Sequence, residues 1–359
     1  MPEKMKAIRK VAAGPGAEME EVDIPTIGED EVLIRVKATS ICGTDAHIYE
    51  WTNWAAGRIH PPQTYGHEFC GHIIEVGRSV KNFHVGNYVS ADSHIPCGRC
   101  YQCRMGQAHL CANLQILGVD RDGSFAEYIA LPTVALVHNP PALPPEFASV
   151  QDPLGNAVYA TLTANPAGKS LAIFGLGPTG LFAVGVARAA GAGPIYAVGH
   201  HEARLNIARQ MGADRCLDSQ RVNARQIILE ETGGLGVDVV LDMAGTPEAI
   251  ADGFAVVRKG GEFVAFGIPS RPFEFDYANA LVFKGVTVYG INGRKLFETW
   301  YQMGRLLASG RLDISPVITH RLLWREFREG FRLMTSRPKT CGKVVLFVAG
   351  NDCLIGGRS

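Results

Sequence analysis

The chain has 359 residues and a mass of 38.7 kDa, room for two domains of ~100–200 residues each. Lys+Arg and Asp+Glu both number 35, for a formal net charge of +0, so the positive footprint of a nucleic-acid binder is missing. Apolar residues make up 47 % and charged residues 19 %, which excludes a disordered chain, and no apolar run approaches the ~20 residues of a membrane span. The opening stretch MPEKMKAIRK is too polar for a signal peptide, so the expectation is a cytoplasmic protein without nucleic-acid or membrane partners.

In chain order, the first third reads as short strands broken by Gly and Pro. EVLIRVKATS (31–40) and GHIIEVG (71–77) have the β-branched content of strands, and DGSFAEYIAL (122–131) reads as a hairpin arm. The Pro-rich stretch NPPALPPEF (139–147) marks the end of this β-rich part. Beyond it, strands and helices alternate. Strands are predicted at 171–175, 195–198, 216–218, 237–243, 261–267 and 286–290. Helices fall at 177–192, 202–211, 222–231 and 247–258. Strict alternation means βαβ units and a parallel sheet. A helix at 297–310 and a strand at 342–348 close the chain; the lone strand is expected to return to the first domain. The expected layout is a discontinuous domain, 1–153 with 293–359, around an inserted domain, 154–292.

Nine cysteines without an export signal point to metal or catalysis rather than disulfides. Cys97, Cys100, Cys103 and Cys111 put four thiols on one loop, enough for a closed tetrahedral zinc site. An iron–sulfur cluster competes, but the C-x3-C-P finish of that signature is absent. Cys42 and His67 are ligand types of an open catalytic zinc, with Glu68 and Asp152 as candidate third ligands or orienting groups. Cys70, Cys216, Cys341 and Cys353 read as core or incidental thiols.

GLGPTG places Gly175, Gly177 and Gly180 in the G-x-G-x-x-G pattern, after a predicted strand and opening a helix. That context gives a dinucleotide site, with the pyrophosphate at the helix N-terminus. About 20 residues on, NAD-binding domains carry an acid for the adenine-ribose hydroxyls. Here Gly199 stands there, followed by His200, His201 and, further on, Arg204, all possible donors to a 2′-phosphate. NADP is therefore favoured over NAD.

The segments SICGTDAHIYEWTNWAAGRI (40–59), YGHEFCGHI (65–73), HIPCGRCYQC (94–103), QDPLGNAV (151–158) and YGINGRKLFETWY (289–301) resemble the zinc-dependent medium-chain alcohol dehydrogenase family. Within it they match most closely the branch that acts on the 3-hydroxyl of L-threonine. The resemblance spans the chain and implies an α/β fold: a GroES-like β-rich catalytic domain plus a Rossmann doubly wound parallel-sheet domain. It implies two zinc ions per chain, with Cys42, His67 and Glu68 as catalytic-zinc ligands and Cys97, Cys100, Cys103 and Cys111 holding the structural one. Thr44 and His47 would relay the alcohol proton to solvent while hydride passes to NAD(P). Cofactor contacts would fall on Thr179, Gly199, Arg204, Phe266, Gly267, Ile268, Gly290 and Ile291. The family also implies a homotetramer. Two residues depart from the branch: Asp152 stands where it has Glu, and Gly199 where it has an acid. They leave open a polyol or secondary-alcohol dehydrogenase of the butanediol or sorbitol type. A cofactor-binding protein without turnover would be expected to have lost Cys42, His67, Thr44 or His47, and all four are present.

Overall fold

The computed structural model describes residues 3–348; Cys353 lies outside the described residues. The chain forms two compact units. The first is built from residues up to Asp152, Ile318–Ser336 and the chain from Lys343 onward. The second is Pro153–Val317 with Arg337–Gly342.

In the first unit the strand Glu31–Ser40 organises the main sheet. It pairs antiparallel with Glu68–Val76, with Tyr128–Pro132 and with the C-terminal strand Lys343–Phe347. Val32, Ile34 and Val36, on one face of this strand, pack into a core with Phe69, Ile73, Ile129 and Leu131. Ile318–Leu323 adds in parallel beside Lys343–Phe347. The pairing of Lys343–Phe347 with Glu31–Ser40 is the return of the chain that the lone strand anticipated.

Two expectations are corrected. The strand near 122–131 is only Tyr128–Pro132. Residues 123–125 instead bond the neighbouring loop: Gly123, Ser124 and Phe125 N–H groups donate to Thr64, Gly66 and Tyr65 carbonyls. The second correction concerns the layout. The helix Glu298–Ala308 belongs to the second unit, not to the first, as do Arg337–Gly342. The buried Arg294 ties it there: its guanidinium lies over the Trp300 ring at 5.9 Å and donates to Asn156 at 2.8 Å. Loss of strict alternation after residue 292 therefore did not mark a change of unit.

The second unit holds six parallel strands: β1 (Leu171–Phe174), β2 (Ile195–Gly199), β3 (Arg215–Asp218), β4 (Val237–Asp242), β5 (Val257–Ala265) and β6 (Thr287–Gly290). Their order in the sheet is β3-β2-β1-β4-β5-β6. That is the doubly wound dinucleotide-binding order, which binds its ligand outside the carboxyl ends of the strands, where the order reverses between β1 and β4. Ala172, Phe174, Val240, Phe254 and Phe263 fill its core. Among the described residues no helix is long and apolar enough to cross a membrane.

Candidate active site

Cys42 is the N-cap of the helix Gly43–Glu50, and its N–H donates to Asp45 Oδ2 at 2.9 Å. His67 and Glu68 lie at the start of the strand Glu68–Val76, after Gly66 turns the chain at φ +92°. An added Cβ at Gly66 would come within 2.5 Å of the Phe125 ring, so only glycine fits. This backbone brings the donor atoms of Cys42, His67 and Glu68 within 4.8 Å of one another.

The surrounding groups are arranged for a cation. Asp45 is fully buried, with Oδ1 3.5 Å from His67 Nδ1. Burial alone would lower the His67 pKa; Asp45 and Cys42 outweigh it and hold it well above the usual value. Glu68 Oε2 accepts from Ser40 Oγ and from Lys343 Nζ, whereas Oε1 is buried with no hydrogen-bond partner. A buried carboxylate oxygen left unpaired is costly, and a metal ion would satisfy it. A thiolate, an imidazole and a carboxylate fit a zinc site of the open kind. Asp152 lies outside this donor set; its Oδ1 accepts the Ser93 N–H at 3.1 Å. Thr44 and His47 stand three residues apart on the same short helix, Thr44 half-buried and His47 exposed.

The second donor group is the loop of Cys97, Cys100, Cys103 and Cys111, whose sulfurs also lie within 4.8 Å of one another. Cys100 Sγ is 3.5 Å from Cys103 Sγ and 3.8 Å from Cys111 Sγ. Sulfurs bound tetrahedrally to zinc at ~2.3 Å stand about 3.8 Å apart. Backbone N–H groups of Arg99 and Cys100 and the Asn113 side chain pull the Cys97 thiol down to about 6. Burial, then Cys100 and Cys111, push Cys103 up to about 12. Four sulfurs this close cannot all ionise without a cation among them, so the loop fits the metal its spacing anticipated. The described cysteines are all free thiols.

In the second unit the three glycines of 175–180 have three different settings. Gly175 turns the chain at φ +98°, and a Cβ on Gly180 would sit 2.0 Å from the Gly175 carbonyl. A Cβ on Gly177 would meet nothing within 4 Å, which leaves the N-cap of the helix Pro178–Ala189 open to an anion. Thr179 lies in the first turn of that helix. The other expected cofactor residues follow the carboxyl ends of parallel strands. Gly199 ends β2, Phe266, Gly267 and Ile268 follow β5, and Gly290 ends β6 with Ile291 after it, its N–H donating to Ala265 O at 2.9 Å. After β2, His200 and His201 rings stand 4.0 Å apart. Glu202 pairs along its helix with Arg209 at 3.4 Å. Arg204 donates through Nε to Cys341 O at 3.0 Å, so one of its donors is already committed.

Sequence reasoning missed Asp45, Ser40 and Lys343. Asp45 had a signal, since it stands inside CGTDAH three residues after Cys42. Lys343 had none: it meets Glu68 from 275 residues away.

Comparison with known proteins matches two family models: an alcohol dehydrogenase GroES-like domain over residues 28–141 and a zinc-binding dehydrogenase domain over residues 178–309. The chain is 47% identical over 343 residues to the L-threonine 3-dehydrogenase of Bacillus subtilis, covering 96% of this chain and 98% of that one. It is 46% identical to the L-threonine 3-dehydrogenase of Pyrococcus horikoshii, covering 97% and 100%. Among solved structures, a zinc-binding dehydrogenase from Sinorhizobium meliloti bound to NADP superposes with a TM-score of 0.88 at 29% identity, covering 97% of this chain and 100% of that one. The 2R,3R-butanediol dehydrogenase of Bacillus subtilis does so with a TM-score of 0.86 at 28% identity, covering 96% and 100%.

Proposed function

Because the chain belongs to the zinc-binding alcohol dehydrogenase family, we propose that it oxidises the 3-hydroxyl of L-threonine to 2-amino-3-oxobutanoate with NADP+ as hydride acceptor. The observation that carries the chemistry is the cluster of Cys42, His67 and Glu68, with its unpaired buried Glu68 oxygen. The choice of threonine rests on relatives of that activity at 46% to 49% identity, against 28% for the butanediol enzyme.

Cys42, His67 and Glu68 would hold a catalytic zinc, and Cys97, Cys100, Cys103 and Cys111 a structural one. Zinc supplies Lewis acidity that makes an alcohol a stronger acid, and the nicotinamide takes the hydride. The rest falls to side chains. Thr44 accepts the substrate proton and hands it on toward His47, whose exposure lets it pass the proton to water. Asp45 keeps the His67 ring oriented and its basicity high. Asp152, held by Ser93 N–H, supports the site rather than completing the donor set. Gly175, Gly177, Thr179 and Gly180 would receive the pyrophosphate, and His200, His201 and Arg204 would stand around the adenine ribose. NADP+ is preferred because Gly199 offers no carboxylate to repel a 2′-phosphate. The reading includes a homotetramer, supported by β6 as an edge strand and by the exposure of Val288 and, shortly before that strand, of Val282 and Phe283.

The test is a panel of initial rates on zinc-replete protein: L-threonine, 2R,3R-butanediol and sorbitol, each with NADP+ and NAD+. L-Threonine with NADP+ is expected to exceed every other pair by at least about tenfold in kcat/KM. Turnover of a polyol without threonine would overturn the substrate, and an NAD+ preference the cofactor.

A further inference from the structure

The Pro-rich stretch 139–147 and the strands beside it enclose a cavity of about 510 Å³ in the first unit, lined by none of the metal-ligand candidates. Its floor rests on neighbouring strands, where His72 pairs with Tyr88 of the strand Tyr88–Ala91. The His72 and Tyr88 rings stack at 5.0 Å, and the Tyr88 hydroxyl donates to Cys70 Sγ at 3.3 Å, which fixes the floor. Lys37 enters through an irregularity in the pairing. The register shifts between Val36 and Ala38, which face Gly71 and Cys70, and Lys37 is the extra residue between them. A bulge of this kind re-aims a side chain, and Lys37 Nζ stands 5.9 Å from the centre of the Tyr88 ring. Pro141, Leu143 and Pro144 supply an apolar wall. That wall is held at both ends: Asn139 N–H donates to Tyr88 O at 2.8 Å, and Pro145 O accepts from Cys70 Sγ at 3.4 Å.

Charge in this cavity is unbalanced. No Asp or Glu lines it, and among the described residues neither Lys37 Nζ nor the His72 ring has a hydrogen-bond or carboxylate partner. Burial, and then the Lys37 and Arg35 charges, lower the His72 pKa, so at neutral pH His72 is an uncharged ring with one N–H to donate. We propose that the cavity is a binding site for a small organic carboxylate. Lys37 Nζ and the His72 N–H hold the anion, and its hydrocarbon part lies against Pro141, Leu143 and Pro144. One cation and one neutral donor match a monoanion better than a dianionic phosphate, and the apolar wall suits hydrocarbon rather than further oxygens. The volume is that of a small-molecule site.

The test is calorimetric titration of the full-length, zinc-replete protein with benzoate, benzamide and inorganic phosphate, which needs no turnover. Benzoate is expected to bind with a Kd of about 1 mM or tighter, and benzamide and phosphate at least about tenfold more weakly. Lys37→Gln should weaken benzoate about tenfold, and Lys37→Arg should retain most of the affinity. His72→Phe keeps a ring stacked on Tyr88 while removing the N–H, and should cost about fivefold. It carries the test if Lys37→Gln is poorly folded. No saturable benzoate binding overturns the proposal. Benzoate affinity unchanged in Lys37→Gln and His72→Phe overturns it as well, because the ligand would then sit elsewhere. Benzamide bound as tightly as benzoate overturns the recognition of an anion, and phosphate bound as tightly overturns the carboxylate class.

Discussion

Replacing Cys42 with Ser lowers L-threonine turnover by at least about 10³-fold and removes one zinc ion per chain. The helix survives the change. Cys42 is an N-cap, serine is among the preferred N-cap residues, and its N–H still donates to Asp45. The substitution therefore separates the ligand from the fold. What is lost is the thiolate of a three-residue donor set whose atoms lie within 4.8 Å of one another. Lewis-acid activation contributes several kcal/mol, and about 4 kcal/mol is roughly a thousandfold in rate. Metal analysis and threonine rates on the same preparation check both halves. A Cys42→Ser protein that keeps turnover within about tenfold of wild type contradicts the assignment of this cluster.

The second large effect lies behind the ligands. In metal-free protein, where no zinc ion balances Glu68, Lys343→Met is expected to cost about 3–5 kcal/mol of stability, because it leaves the Glu68 carboxylate buried without its counter-charge. The side chains of Lys343 and Glu68 are 2% and 0% exposed. Lys343 Nζ also donates to Ile41 O at 3.0 Å, so the variant strands a carbonyl too. Adding Glu68→Gln to Lys343→Met should recover much of the loss, since removing both charges of a buried pair is far cheaper than removing one. Chemical denaturation of the two single variants and the double variant measures the coupling. A Lys343→Met protein within about 1 kcal/mol of wild type shows that the pair contributes little.

Much of the chemistry was legible in the sequence because ligands and glycines are constrained by type and spacing. Four cysteines within one loop had one economical use, and their sulfurs do converge. The glycines at 175, 177 and 180 each meet the steric demand their spacing anticipates: a turn, an open cap, and a contact with Gly175 O. Cys42, His67 and Glu68 were readable as ligand types, and the family resemblance, not the residues alone, singled out Glu68 over Asp152. The fold brings Glu68 within 4.8 Å of Cys42 and His67 and gives Asp152 to the Ser93 N–H.

The unreadable features are those made by distant pairing. Lys343 reaches Glu68 because Lys343–Phe347 pairs with Glu31–Ser40, and no local pattern marks that register. The helix Glu298–Ala308 was assigned to the wrong unit because its amphipathic pattern says that one face is buried, not against what. The absent strand before Tyr128 follows the same logic. Residues 123–125 use their N–H groups on the loop that ends at His67, and that loop's place in space is not written in its own residues.

The central claim is that the Cys42, His67 and Glu68 cluster holds the metal on which threonine oxidation depends. The most direct measurement is a zinc titration of metal-stripped, full-length protein, following bound zinc and L-threonine turnover with NADP+ together. The account predicts saturation at one zinc per donor group, two per chain, with turnover rising as the Cys42 group fills. Full turnover when only the cysteine-loop site is filled, or in protein with no zinc at all, would contradict it.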